Sequence, residues 1–223
     1  MSEFETALIY ALDISGTFVF AISGAFKAVK YELDFLGLLV LAAATGIGGG
    51  ILRDVVIGYT PPSAFRNEIY FIICLVAAAI VFFAAPKIAK RWDIVMIADA
   101  VGLGVFTAIG TMKAVESGMG PIGILLLGAA TATGGGVVRD ILVREIPYVI
   151  RKDFYATASL LGGLVPVILI NFETDKTIII FACMFVTILS RLAAMRFKFE
   201  LPHVHSLPDS PTVMTKKFKT KRR

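Results

Sequence analysis

The chain has little of what soluble enzymes use for catalysis or metal binding. Its 223 residues include two cysteines, two histidines and one tryptophan, and only 17% of them are charged. Cys74 and Cys183 fall inside apolar stretches, which favours helix packing over a disulfide. His203 and His205 have no further metal ligands near them in the sequence. We therefore expect no enzyme activity, no cofactor, no tightly bound metal and no nucleic-acid partner.

Apolar residues dominate the composition. They make up 57% of the chain, the mean hydropathy is +0.81, and soluble domains are ordinarily about 45–50% apolar. Seven apolar stretches approach the roughly 20 residues that cross a bilayer as a helix. They are residues 7–29, 35–57, 68–86, 93–115, 121–143, 154–171 and 177–195. The sequence predicts an all-α membrane protein, with one seven-helix domain over residues 1–196.

The ends and loops predict an orientation. The first span follows the acidic flank "MSEFET" and lacks a cleavage site, so it is not a removable signal. Basic residues cluster on one side, where Lys27, Lys30 and Arg144 lie, and the positive-inside rule then places the N-terminus outside and the C-terminus in the cytoplasm. Residues 197–223 form a basic tail that we expect to be disordered and to favour anionic lipid headgroups.

A duplication organises the chain. "TGIGGGILRDVVIGYTP" at 45–61 and "TATGGGVVRDILVREIP" at 131–147 align without gaps at an offset of 86 residues. The offset predicts two three-helix repeats, at about 7–86 and 93–171, followed by a seventh helix at about 177–195. Because three is odd, the second repeat must enter the membrane from the opposite side, which gives an inverted repeat.

Three consecutive glycines interrupt the second and fifth spans, at Gly48, Gly49 and Gly50 and at Gly134, Gly135 and Gly136. Each costs a helix roughly 1 kcal/mol relative to alanine. We expect both helices to break or kink there and to line a water-filled cavity, since lipid cannot satisfy freed backbone groups. Close helix packing is the alternative. A phosphate-binding loop is disfavoured because no GK[ST] follows.

Charges inside the spans predict functional positions. Adjacent residues on a helix point about 100° apart, so each arginine is poorly placed to pair with its own neighbour. Arg53 can reach Asp140 and Arg139 can reach Asp54 across the repeat, or nearby helices can supply the partners; a merely structural role for these charges is the alternative. One face of the first helix carries Asp13, Gly16, Phe20, Gly24 and Lys27, and the fourth repeats it as Asp99, Gly102, Phe106, Gly110 and Lys113. Nearby hydroxyls come from Thr17, Ser23, Thr45, Thr107, Thr131 and Thr133.

The duplicated GGGxxRD resembles that of the prokaryotic trimeric intracellular cation (TRIC) channels, which overlap a broad bacterial family of small membrane proteins, some described as glycine transporters. The resemblance covers the chain to about residue 196. It implies a homotrimer in the prokaryotic inner membrane with a potassium-permeable pore in each subunit, lined by the kinked second and fifth helices. Animal members carry a Lys-Glu pair near the kink and bind phosphoinositides there; this chain has only glycines, so we expect no phosphoinositide gating.

Two functions follow from these patterns. Hydroxyls and carbonyls with little net charge suit a weakly held monovalent cation, which favours a K⁺ and Na⁺ channel with transient ion contacts near the glycines. Thr45 and Thr131 would then line the pore. The charges that would shape it are Arg53, Asp54, Arg139, Asp140, Asp13, Asp99, Lys27 and Lys113. A secondary transporter of glycine or a similar small solute is the alternative, and it would need a free cationic group aimed at the substrate carboxylate.

Overall fold

A computed structural model describes residues 3–88, 92–151, 154–172 and 174–197 of the chain. The basic tail from residue 198 onward, with His203 and His205, lies outside these residues. The described part contains nine α-helices, one 3₁₀-helix and no strand. The elements are α1 (Glu3–Lys30), α2 (Phe35–Val56), α3 (Ser63–Arg66), α4 (Ile69–Ile88), α5 (Trp92–Glu116), α6 (Pro121–Leu142), α7 (Tyr148–Arg151), α8 (Ala156–Leu169), η1 (Ile170–Phe172) and α9 (Lys176–Phe197).

The seven longer helices lie where the hydropathy predicts spans. Five of them are long and apolar enough to cross a membrane: α1, α2, α5 from Met96 onward, α6 and α9. Helices α4 and α8 contribute shorter apolar stretches, and α8 contains Pro166 and ends in the 3₁₀ turn η1. The short helices α3 and α7 are not foreseen by the sequence, because four residues carry no hydrophobic period. The class, an all-helical membrane protein, is confirmed.

The helix ends repeat with the same offset of 86 residues as the sequence. The turn after α1 places Glu32 at φ 54°, and the turn after α5 places Gly118 at φ 70°. The turn after α2 places Gly58 at φ 76°, and that after α6 places Arg144 at φ 57°. Non-glycine residues rarely adopt this left-handed conformation, so its recurrence at equivalent positions shows that the repeat extends to the loops.

The packing divides the helices into two equivalent groups. Helix α1 packs against α2 and α4, and α5 packs against α6 and α8, while α2 meets α6 and α1 meets α5 across the boundary. At the α1–α5 contact Phe20 and Phe106 stack with ring centroids 5.2 Å apart. Gly16 lies against Phe106, and its equivalent Gly102 lies against Phe20. Such reciprocal contacts are those of a pseudo-two-fold axis. Helix α9 has no counterpart and packs on α5 and α8.

Candidate functional site

The triple glycines lie where α2 and α6 cross. Both helices continue through them without interruption, so the break expected from the sequence does not occur. A Cβ on Gly49 would overlap the carbonyl oxygen of Thr131, and one on Gly135 would overlap the carbonyl oxygen of Thr45. A Cβ on Gly48 would lie 3.3 Å from the Cα of Gly135. The glycines therefore let two helix backbones touch, and this packing compensates for their low helix propensity.

Thr45 and Thr131 belong to this crossing. Their hydroxyls donate to the carbonyl oxygens of Leu41 and Leu127, at 2.6 Å in both cases. Gly24 packs closely on Thr45, and its equivalent Gly110 packs on Thr131. Both threonines are almost completely buried, and neither lines the cavities described below. In this conformation the crossing is closed, and the two threonines do not line an open path.

A first polar cavity, which we call cavity 1, lies on one side of the crossing. It has an empty volume of about 230 Å³ and its lining includes Asp13, Arg53, Asp54 and Tyr70. The Nε of Arg53 donates to Asp54 Oδ1 at 2.8 Å, and its Nη2 lies 3.9 Å from Asp13 Oδ2. The hydroxyl of Tyr70 donates to Asp13 at 2.8 Å, and the backbone N–H of Ser63 donates to Asp54 at 2.7 Å. In cavity 1 the guanidinium of Arg53 therefore lies between the carboxylates of Asp13 and Asp54.

A second polar cavity, cavity 2, repeats this arrangement in the other half. It has an empty volume of about 390 Å³. The Nε of Arg139 donates to Asp140 Oδ1 at 2.9 Å, and its Nη1 lies 3.6 Å from Asp99 Oδ1. The backbone N–H of Tyr148 donates to Asp140 at 3.0 Å. Ser23 of α1 accepts from Arg139 at 3.0 Å and donates to Asp99 at 3.4 Å.

Cavity 2 is extended by charges that cavity 1 lacks. The Nζ of Lys27 lies 2.5 Å from Glu145 and 3.4 Å from Asp140, and Lys30 lies 3.7 Å from Glu145. The hydroxyl of Tyr31 also donates to Glu145. The hydrogen bonds from Lys27 and Tyr31 lower the pKa of Glu145 from 4.5 to about 2, and the same carboxylate raises the pKa of Tyr31 from 10 to about 12.

Lys113, the equivalent of Lys27, departs from the pattern. Its side chain is one-third exposed and pairs with Glu116 at 3.0 Å on its own helix. The position equivalent to Glu145 is Tyr59, so the carboxylate that lies 2.5 Å from Lys27 has no equivalent in the first repeat. The interior stripe predicted from the sequence is therefore complete on α1 but ends before Lys113 on α5, whose other predicted members are buried.

The Arg-Asp pairing expected from the sequence is wrong. Each arginine bonds the aspartate that follows it, because its long side chain folds back to bring Nε beside the neighbouring carboxylate. The predicted pairs Arg53–Asp140 and Arg139–Asp54 do not form, since α2 and α6 run antiparallel through the crossing. Each arginine lies about four residues beyond it, or about 6 Å at 1.5 Å per residue, in opposite directions.

Several site residues escaped the sequence analysis. Tyr70, Glu145, Tyr155 and Arg191 have no role in the duplicated motif, although Arg191 interrupts the apolar run of the seventh span and could have been noticed on that ground. Arg191 lies on α9, is 4% exposed, and its guanidinium stacks on the ring of Tyr155 with 4.8 Å between Cζ and the ring centroid. Within the part of the chain that the structure describes, no cluster of His, Cys, Asp and Glu could hold a metal ion.

Comparison with known families gives a match to both repeats. A family model described as glycine transporter matches residues 10–86 and again residues 96–171, so its two copies begin 86 residues apart. The UPF0126 inner membrane protein YadS of Escherichia coli K12 is 39% identical over 198 residues, covering 87% of this chain and 95% of its own. A UPF0126 membrane protein of Vibrio cholerae is 36% identical over 200 residues, covering 89% of this chain and 83% of its own.

Solved structures of cation channels share the fold. A chain from a study of conductance through TRIC cation channels has a TM-score of 0.83 and 35% identity, covering 88% of this chain and 97% of its own. The TRIC trimeric intracellular cation channel orthologue from Rhodobacter sphaeroides has a TM-score of 0.82 and 36% identity, covering 86% and 99%. A prokaryotic TRIC channel in 0.5 M KCl has a TM-score of 0.81 and 32% identity, covering 88% and 100%.

Proposed function

The chain belongs to the prokaryotic TRIC channel family, whose sequence model is described as glycine transporter, and on that basis we propose that it is a channel for monovalent cations. The ions are K⁺ and Na⁺, and each subunit of a homotrimer has its own pore. The solved relatives named above are channels rather than enzymes, which agrees with the absence of a catalytic arrangement in the sequence. The extension of their activity and trimeric state to this chain is part of the proposal.

The observation that carries the proposal is the placement of cavities 1 and 2 on opposite sides of the α2–α6 crossing. Each contains a buried donor that has no protein partner within the described residues, Arg53 Nη1 in the first and Arg191 Nε in the second. Buried donors are normally satisfied by protein or by ordered water. Two such cavities, one on each side of the crossing, are what a hydrated path through one subunit needs.

The charge of cavity 1 favours a cation over an anion. When both aspartates are ionised, Asp13 and Asp54 together with Arg53 carry a net charge of one negative unit. All three residues are at least nine-tenths buried. Dissolved salt screens the interactions of buried charges less than those of charges at the surface. A hydrated K⁺ or Na⁺ is therefore concentrated there, while the pairing of the charges leaves no carboxylate free to hold it tightly.

The crossing itself is the constriction of the proposed pore. Between the cavities Gly48, Gly49, Gly134 and Gly135 bring the two backbones into contact, so an ion passes only when α2 and α6 part slightly. The closest contacts are between backbone atoms, and a small separation would expose the carbonyl oxygens of Thr45 and Thr131. These oxygens would then give a passing cation the transient contacts that the sequence analysis places near the glycines.

The orientation within the membrane follows from the distribution of basic residues and is part of the proposal. We propose that seven helices cross it, with the N-terminus outside and the C-terminus in the cytoplasm, and that kinks at the glycines develop when the path opens. Cavity 1, reached from the start of α1 and the end of α2, would face outward, and cavity 2 would face the cytoplasm. The basic residues at the end of α1 and after α6, Lys30 and Arg144, would then lie at the inner surface, near anionic lipid.

The transporter hypothesis receives less support from the site. It needs a free cationic group near the crossing that could bind the carboxylate of glycine. Arg53 and Arg139, the two candidates that the sequence offers, are each bonded to an aspartate and lie within 4 Å of a second one. Neither is available for a substrate, and Arg191 of cavity 2 lies on α9, which packs on α5 and α8 rather than at the crossing.

A bilayer recording tests the proposal. Purified protein in a planar bilayer under a K⁺ gradient is expected to give unitary currents that reverse near the K⁺ equilibrium potential. Asp13→Asn removes the negative excess of cavity 1 and should lower the conductance, whereas Glu116→Gln, a partly exposed carboxylate, should leave it unchanged. Saturable uptake of labelled glycine into proteoliposomes, with no currents from the same preparation, would overturn the proposal.

A further inference from the structure

Arg191 is a buried cation without a counter-charge. It is 4% exposed, and no carboxylate of the described residues lies within ion-pair distance of it. Removing a charge from water is costly unless the charge is paired, and the cost is larger at membrane depth. Arg53 and Arg139 meet this requirement with two aspartates each, whereas Arg191 has only the face of the Tyr155 ring.

Two hydrogen-bonding groups are left unsatisfied at the same place. The Nε of Arg191 and the hydroxyl of Tyr155 have no hydrogen-bond partner in the part of the chain described. Both residues line cavity 2, together with Ser23, Lys27 and Arg139. Asp99 also lines it and lies near the Tyr155 hydroxyl, but no hydrogen bond of good geometry joins the two, and Asp99 Oδ1 accepts from Ser23 at 3.4 Å and lies 3.6 Å from Arg139 Nη1. The two unsatisfied groups can both donate, so one acceptor between them would satisfy both.

The charges around cavity 2 call for an anion. Among the described residues, four cationic side chains and three carboxylates form its lining and the network bonded to it, an excess of one positive charge that includes Lys30, whose side chain is half exposed. They are Lys27, Lys30, Arg139 and Arg191 against Asp99, Asp140 and Glu145. A water molecule could accept the two hydrogen bonds but would leave this charge in place. A single monovalent anion would do both.

We propose that cavity 2 binds one small monovalent anion, chloride or a small carboxylate, with Arg191 Nε and the Tyr155 hydroxyl as its donors. The empty volume of about 390 Å³ includes space open to solvent, and only about 30 Å³ of it takes water-sized molecules, which is enough for one small ion and too little for a bulky organic anion. The site lies in cavity 2, which the proposed function places on the cation path, but anion binding itself does not require that function. If the chain is a channel, the bound anion cancels the positive excess on the path of the cations.

A stability measurement tests the proposal without requiring transport. Protein in neutral detergent is melted at constant K⁺ concentration while potassium gluconate, whose anion is too large for the cavity, is replaced by chloride or by formate. The melting midpoint of the wild type is expected to rise saturably, because a ligand that binds only the folded state stabilises it. Chloride and formate arms distinguish a halide from a carboxylate ligand.

Two variants of the site and one control on α9 test the assignment of the donors. Arg191→Gln should weaken the apparent anion affinity by roughly tenfold or more, as expected when a charge-assisted hydrogen bond is lost. Tyr155→Phe keeps the ring and removes the hydroxyl, so it should weaken affinity by a smaller factor. Arg196→Gln changes an exposed arginine on the same helix and should respond like the wild type.

A direct measurement of chloride binding by NMR tests the proposal even if a variant fails to fold. Chloride NMR line broadening by the folded wild type should be reversed by formate and should persist in Arg196→Gln. If the wild type shows neither broadening nor a saturable midpoint shift, cavity 2 holds water alone and the proposal is wrong. The same conclusion follows if Tyr155→Phe and Arg191→Gln, folded by circular dichroism, keep the full anion response.

Discussion

Two neighbouring glycines of α2 should respond in opposite ways to the same methyl group. Gly49→Ala places its Cβ against the carbonyl oxygen of Thr131, whereas Gly50→Ala meets nothing closer than 3.7 Å, from Arg53. Both substitutions gain about 1 kcal/mol of helix propensity, so the gain cancels when the variants are compared. At position 49 the helices must part by roughly 1 Å to restore a carbon–oxygen contact of about 3.3 Å.

Overpacking of this kind costs about 1–3 kcal/mol, and that is the expected difference in unfolding free energy between the two variants. Circular dichroism during unfolding in mixed micelles of rising SDS fraction measures it. Gly135→Ala should match Gly49→Ala, and the double variant should lose less than the sum, because one separation relieves both overlaps. If Gly49→Ala proves as stable as Gly50→Ala, the contact between α2 and α6 is not as close as described.

Three further predictions concern the charged groups. Lys27→Met should destabilise the protein by about 3–5 kcal/mol because it leaves buried carboxylates unpaired, whereas Lys113→Met should cost under about 1 kcal/mol; detergent unfolding compares them. Tyr70→Phe should cost about 1–3 kcal/mol by the same measurement, since the Asp13 carboxylate loses a donor, and an unchanged stability would contradict that bond. The depressed pKa of Glu145 stabilises the fold above pH 4.5, and this contribution should disappear as pH falls toward about 2; melting curves of Glu145→Gln should lack this part of the pH dependence.

The helices and the repeat could be predicted because they depend on local and periodic signals. Hydropathy predicts each long helix to within a few residues, and an ungapped offset places Gly48 and Gly134 in equivalent positions. The break at the glycines was a wrong inference because propensity describes a helix in isolation. In the folded chain the backbone of α6 covers the glycines of α2, and this contact outweighs their cost.

The partners of the charges were harder to predict. The expected pair Arg53–Asp140 followed from the directions of Cβ atoms, but an arginine side chain is long enough to return to its neighbour Asp54. Ser23 and Glu145 join the network through tertiary contacts between helices far apart in sequence, which no local pattern encodes. Arg191 gave a signal, a charge within an apolar span, but its surroundings depend on how α9 packs.

Because the chain is synthesised from its N-terminus, the two charge networks can form at different times. Asp13, Arg53, Asp54 and Tyr70 all belong to the first repeat, so the first network can close as soon as α4 has entered the bilayer. The second cannot close within its own repeat, because Ser23 and Lys27 come from α1. The N-terminal half therefore acts as an assembly template, and a chain that began at α5 would insert Asp140 and Glu145 without the lysine that neutralises them.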